Sequence, residues 1–209
     1  MPARRAAREV DPPGYPRDLI RTVLVDWGAT LRIRPIRPDD EAGLRAFFTR
    51  LSTRTVFQRF FRAWRQLPDE WYPRFVQVDY AQRLALVAEV DGADGARLLG
   101  VARYEPTDTD GVAEVALVVE DSWQGQGLGR RLLEAILDAA ATRGIHRFRA
   151  DALSDNRRIL KLLAETVSIE SSSTEQGVTE LTFVRRPRGP SDDDYFRGAT
   201  TTSVGEPLR

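Results

Sequence analysis

Apolar residues recur along the chain with two different periods, and the switches between them set out an order of elements. Short runs at Val23–Val25 and Leu31–Ile36 flank Asp26-Trp27-Gly28 and predict two strands joined by a turn. Leu44, Phe47, Phe48 and Leu51 follow Pro38-Asp39-Asp40 at helical spacing, as expected of a helix opened by an acidic cap. Ser52 can cap a second helix carrying Phe57, Phe60, Phe61 and Trp64 on one face, read as core packing against a sheet. A third short helix is expected after Pro68, with Trp71 and Phe75 inward. The period then becomes strand-like: Leu84–Val90, Leu98–Tyr104 and Val112–Val119, separated by Asp/Gly-rich turns, predict an antiparallel meander. Gly127–Arg143 carries Leu128, Leu132, Leu133, Ile136 and Leu137 on one helical face and is closed by Gly144. A strand at Arg147–Ala152 and a helix from an Asp155 cap to about Glu165 follow. A hairpin of Val167–Ser171 with Val178–Arg185 completes the series.

This order predicts an α/β chain of the α+β kind, with a central mixed and mostly antiparallel sheet flanked by helices. Residues 1–21, rich in Arg and Pro without an apolar stretch behind them, are expected to form a flexible arm rather than a signal peptide. Residues 187–209 hold Gly, Pro, Ser, Thr and an Asp192–Asp194 run, and are expected to be a disordered tail. One domain over 22–186 remains, and 42% hydrophobic residues in a chain of 209 suit a single core.

Composition removes several chemistries. Lys+Arg and Asp+Glu both number 31, so the near-zero net charge argues against a general nucleic-acid binder. The absence of cysteine excludes disulfides, thiolate metal sites and an acyl-cysteine intermediate. A lone histidine, His146, leaves no material for a multi-histidine metal site or a histidine-relayed serine triad, so no metal is expected. No apolar run approaches the roughly 20 residues that cross a bilayer, and the expectation is a cytoplasmic protein without a membrane partner.

The stretch that carries chemistry is Val112–Arg131. A strand ends near Val119, and Gln124-Gly125-Gln126-Gly127-Leu128-Gly129 leads directly into a helix. Glycines there let a backbone approach a ligand, and the first amides of the helix are unpaired at its positive pole, so the bend suits a phosphate. A Walker loop needs Gly-Lys-Ser/Thr, and the only lysine is Lys161. The dinucleotide fingerprint needs a third glycine where Leu132 stands. Both fail. The spacing that fits is Gln-x-x-Gly-x-Gly.

With that bend, this strand and the later Asn156, the chain resembles the GNAT family of acyl-CoA-dependent N-acyltransferases over its whole expected domain. It resembles more narrowly the bacterial Pat-type protein-lysine acetyltransferases. The matching residues are Leu31 to Asp40, Phe47-Phe48 before Leu51-Ser52, Arg59-Phe60-Phe61, Val78-Asp79-Tyr80, Ala113-Glu114-Val115-Ala116, Trp123 to Gly129, and Asp155-Asn156-Arg157-Arg158. The resemblance implies acetyl-CoA as co-substrate. Its pantetheine amides would pair with backbone at Leu117, Val118 and Val119. Its pyrophosphate would rest on the amides of Gln124, Gly125, Gln126, Gly127, Leu128, Gly129 and Arg130, and Asn156 would hydrogen-bond the pantetheine arm. Asn156 also suits a helix cap beside Asp155, and Arg130 and Arg131 suit either CoA phosphates or solvent. The implied partner is a protein bearing an acetylatable lysine, an acyl-CoA synthetase among the candidates, with the enzyme a monomer or homodimer. A small amine acceptor (amino sugar, polyamine, antibiotic) and a non-catalytic acyl-CoA sensor are the rival readings.

Glu114 is the only ionisable residue in Val112–Val119, and alternation puts it on the face of Ala116 and Val118. Among aliphatic neighbours its carboxylate is expected to lose hydration and gain basicity, and the resemblance places the catalytic glutamate there. A base is needed: with a pKa of about 10.4, roughly one lysine amine in a few thousand is neutral near pH 7. The oxyanion would meet a backbone N–H of Leu117 or Val119. Two departures from the family pattern stand out. No tyrosine occurs between Asp151 and Arg185 to serve as acid for the thiolate, and Thr166-Val167 replaces the usual Gly-Phe.

Overall fold

In the computed structural model, which describes residues 11–26, 28–92 and 95–186, the apolar runs become eight strands. These are β1 (Arg21–Leu24), β2 (Thr30–Pro35), β3 (Leu84–Gly92), β4 (Gly95–Pro106), β5 (Val112–Val119), β6 (Arg147–Leu153), β7 (Val167–Glu175) and β8 (Val178–Arg185). They form one sheet in the order β1-β2-β3-β4-β5-β6-β8-β7. Neighbours β5 and β6 are parallel, and the other neighbouring pairs are antiparallel. The sheet is mixed and mostly antiparallel, as its sequence pattern predicts.

Five helices cover its two faces. Leu44, Phe47 and Phe48 of α1 (Glu41–Thr49), Val56 of α2 (Thr53–Phe60) and Phe75 of α3 (Trp71–Val76) pack with Ala85, Val87 and Val118 on one side. On the other, α4 (Leu128–Ala141) sets Leu128, Leu132, Leu133, Ile136 and Leu137 against Leu86, Leu99, Tyr104 and Phe148. Each such fully buried Leu or Ile contributes about 1.5–3 kcal/mol, so α4 is held by its inner face rather than by propensity. Beyond Ala141 the chain keeps winding until Gly144, whose φ of 79° lets Ile145 N–H close on Ala140 O at 3.0 Å. Helix α5 (Arg157–Thr166) lies on the α4 side through Leu163. Among the described residues, no helix is long and apolar enough to cross a membrane.

Three expectations need correction. Phe61 turns left-handed at φ 54° and ends α2, so Trp64 lies beyond the helix. Phe57 is 42% exposed, and the buried face of α2 is Thr55 and Val56. Phe60 and Trp64 do pack, half-buried, against the core of that face, in a ring cluster with Trp71 and the buried Phe75. Periodicity cannot register a helix stop that rests on one left-handed residue other than glycine. Helix α5 is capped by Asn156, not Asp155: Asn156 Oδ1 accepts from the Ile159 amide at 3.4 Å. Part of the expected arm is also docked. Leu19 is buried, and the Tyr15 hydroxyl donates to Pro35 O at 3.0 Å with its ring 5.6 Å from Tyr80. Residues 1–10 of that arm and the expected tail lie outside the described residues.

Candidate active site

The parallel pair β5–β6 is short. Its register runs through Val112–Arg147, Ala113–Phe148 and Glu114–Arg149 and stops there, so the two strands part beyond Glu114. On the far side β5 stays paired with β4 up to Gly100–Val119, and the Glu120 amide donates to Leu99 O at 2.8 Å. Alternation along an antiparallel ladder then points the backbone groups of Ala116 and Val118 at β4, and those of Val115, Leu117 and Val119 into the gap. The sequence reading named Leu117, Val118 and Val119. Val118 turns its N–H and C=O to β4, whereas Val115 shares the parity of Leu117 and Val119. Buried backbone groups are seldom left unpaired, so a gap edged by such groups wants a partner.

That gap is part of a cleft of about 960 Å³ between β5, β6, α2 and the helix starts of α4 and α5. Glu114, Leu117, Val118, Val119, Gln124, Gly125, Gly127, Gly129, Arg130 and Asn156 all line it. Two predicted residues do not. Leu128 is fully buried, and the Gln126 side chain turns back to donate to Ser122 O at 2.9 Å. Gly125 and Gly127 take φ of 77° and 79°, conformations that cost other residues about 1–2 kcal/mol. Past the bend, the first amide to reach a backbone acceptor is that of Arg131, on Gly127 O at 3.1 Å. The amides from Gly125 to Arg130 have no such acceptor among the described residues, an arrangement that suits an anion.

The bend is held by side chains that periodicity alone does not reveal. Gln124 Nε2 donates to Val119 O at 2.9 Å and to Thr55 Oγ1 at 3.2 Å, while Arg158 donates to Gln124 Oε1. Asp121 accepts from the Ser52 amide at 2.9 Å, the Ser52 hydroxyl at 2.6 Å and the Thr55 hydroxyl at 2.8 Å, tying α2 to the bend. Burial works to raise the Asp121 carboxyl, but the hydrogen bonds from Ser52 and Thr55 outweigh it and hold it below the usual range. A depressed carboxylate stabilises the fold above its unfolded-state pKa, and that stability is lost as pH falls through the folded one. Asp121→Asn should therefore lower the unfolding free energy by about 0.5–1 kcal/mol at pH 7, since the contacts are largely in water, by urea titration, and this deficit should shrink below about pH 4.

Glu114 sits where β5 and β6 part, on the same face as Ala116 and Val118. The dry setting expected for it is absent: its side chain is 48% exposed, and Arg149 Nη2 lies 3.9 Å from Oε2. Arg103, the ion-pair partner that a strand glutamate could have taken, pairs instead with Glu105. The Arg130 guanidinium pairs with Glu165 at 2.5 Å. A second carboxylate, Asp151, lines the same cleft two residues after Arg149. Burial pushes its carboxyl up, against the pull of Arg149. The alternation of Arg147, Arg149 and Asp151 along β6 was the sequence signal for it. Among the described residues no group of three or more His, Cys, Asp or Glu is gathered for a metal.

Residues 50–166 match the model of the acetyltransferase (GNAT) family. The chain belongs to that family. As a GNAT protein it is an acyl-CoA-dependent N-acetyltransferase. An acetyltransferase of Pseudomonas aeruginosa is 30% identical over 138 residues, 66% of this chain and 74% of the relative. Acetyltransferase Pat of Mycolicibacterium smegmatis is 29% identical over 141 residues, 68% of this chain, and the match spans 42% of that longer protein. The crystal structure of the GNAT domain of S. lividans Pat superposes with a TM-score of 0.74 at 32% identity, covering 81% of this chain and 99% of that domain.

Proposed function

We propose that this GNAT domain moves an acetyl group from acetyl-CoA to the ε-amine of a protein lysine, by direct attack in a ternary complex with Glu114 as general base. One observation carries the reading: the parted strands β5 and β6 open at Glu114 and run down to the glycine-turned start of α4. The gap offers backbone partners to a chain of amides and the bend offers amides to a diphosphate, which is the donor and acceptor pattern of coenzyme A. The lysine acceptor is supported by likeness to the Pat proteins and by the motifs shared with them.

Bound acetyl-CoA supplies an activated thioester. Val115, Leu117 and Val119 present the backbone groups that would align the pantetheine arm along β5. The amides of Leu117 and Val119 are also donors for negative charge developing on the thioester oxygen. Glu114, half in water, can take the amine proton directly or through one water as the nitrogen attacks. Asn156 spends Oδ1 on its helix cap. The thiolate, with a thiol pKa of about 8.5, can leave without a dedicated acid.

The deciding experiment is coenzyme A release from acetyl-CoA with lysine peptides and small amines as alternative acceptors. Turnover on lysine peptides supports the proposal. Turnover on small amines alone would move the acceptor to the rival class, and CoA binding without turnover would leave a sensor.

Asp26 tests the cradle from the opposite direction. Its carboxylate borders the cleft beside Gly127, where a Cβ would meet Oδ1 at 2.8 Å. A negative charge there opposes a diphosphate, so Asp26→Asn should tighten CoA binding by about two- to fivefold in calorimetry. The gain should narrow as salt rises from about 0.05 to 0.5 M.

A further inference from the structure

The motif Arg59-Phe60-Phe61 has no part in the chemistry above. Arg59 stands where two spaces meet: it lines the large cleft and also a small apolar cavity of about 20 Å³ shared with Phe60, Phe75, Arg103, Ala116 and Val118. Arg103 is 5% exposed, and its Nε and Nη2 are buried without a hydrogen bond. Glu105 touches Nη2 at 2.5 Å, outside hydrogen-bonding geometry, and the guanidinium lies 4.6 Å over the Phe75 ring. Among the described residues Arg59 makes no ion pair, and its guanidinium lies 4.9 Å over Phe60.

Among the described residues Arg59 has no carboxylate within ion-pair distance, and the one close to Arg103, Glu105, also lies 3.5 Å from Arg83, an arrangement short of negative charge. Burial pushes the Arg103 guanidinium down to about 10, Glu105 pulls against that, and Arg59 adds to the depression. Burial also lowers Arg59, with Glu114 the foremost charge pulling it back. The place matters as much as the charge. Arg103 is the cross-strand partner of Ala116, which is two residues, or about 7 Å, along β5 from Glu114 and on the same face.

We propose that Arg59, backed by the buried charge of Arg103, receives in the cleft a carboxylate carried by the acceptor, so that the preferred acceptors are amines with a carboxylate a few bonds away. A guanidinium fork matches a carboxylate in two hydrogen bonds, and the missing counter-charge then arrives with the substrate. The same chemistry is offered by a lysine beside Asp or Glu in a protein and by a small amino acid. This inference rests on the acetyl-transfer reading.

The test compares kcat/KM for matched acceptors: a lysine peptide with Glu or with Gln next to the lysine, and a free amino acid against its amide. Wild type should favour the carboxylate member of at least one pair by about tenfold or more, and the pair that responds identifies the source. In Arg59→Gln that ratio should fall close to one, with Arg59→Lys intermediate. CoA affinity by calorimetry should stay at the wild-type value in both, as a check that the donor site is intact. In wild type alone, glutarate should raise the KM of the acceptor and leave that of acetyl-CoA unchanged. Equal rates on both members of both pairs, or a ratio that survives Arg59→Gln, would overturn the inference and leave acetyl transfer standing. CoA binding without turnover on any amine would instead sink the transfer reading, and this inference with it.

Discussion

Glu114→Gln is expected to lower acetyl transfer by roughly two to four orders of magnitude while CoA still binds. The change keeps shape and removes the proton acceptor. The neighbouring Arg149 loses a charge contact at 3.9 Å, and with both side chains substantially exposed that contact contributes little to stability. The thermal midpoint should therefore stay within a degree or two of wild type, which separates a chemical defect from a folding one. Asp151→Asn is the control, because it removes a cleft carboxylate carried by β6. If Glu114→Gln retains full activity and Asp151→Asn abolishes it, the proton acceptor is on β6 instead of β5. Rates from pH 6 to 9, measured as thiol release, make the comparison.

Gly127→Ala should be the more damaging of two changes in the bend. Both Gly125 and Gly127 are left-handed, so alanine at either carries a backbone penalty of about 1–2 kcal/mol. At Gly125 nothing lies within 4 Å of an added Cβ. At Gly127 the Cβ would meet Asp26 Oδ1 at 2.8 Å, so the Asp26 side chain must move. That movement takes place at the start of α4, where the cradle amides are. The expected result is a loss of CoA affinity of tenfold or more for Gly127→Ala, against a smaller loss for Gly125→Ala, by calorimetry. Equal losses would mean that backbone strain alone, without Asp26, governs the cradle.

Much of this molecule was readable in one dimension, because the signals are local. The period switch at Leu84 marks the meander, since burial on a sheet repeats every two residues and on a helix face every 3.6. The bend at Gln124–Gly129 is visible because only glycine takes left-handed φ cheaply, and a helix start always carries unpaired amides. Glu114 stood out as the one charge in an apolar strand.

What the linear pattern misread depends on partners far along the chain. Glu114 was expected to be dry, but its exposure is set by where β6 diverges, and no residue of β5 encodes that. Val118 was grouped with Leu117 and Val119, but ladder parity, set by pairing with β4, turns its backbone away from the gap. The ties of Asp121 to Ser52 and Thr55 span 69 and 66 residues and have no periodic signature. The sequence by itself determined which segments are strands and helices and which bend can hold an anion. Only the tertiary structure decided which backbone edges are open and which charges are left short of partners. Secondary structure follows from local sterics and burial period, whereas an empty edge or an unmet charge is a property of the neighbours that folding brings, or fails to bring, alongside.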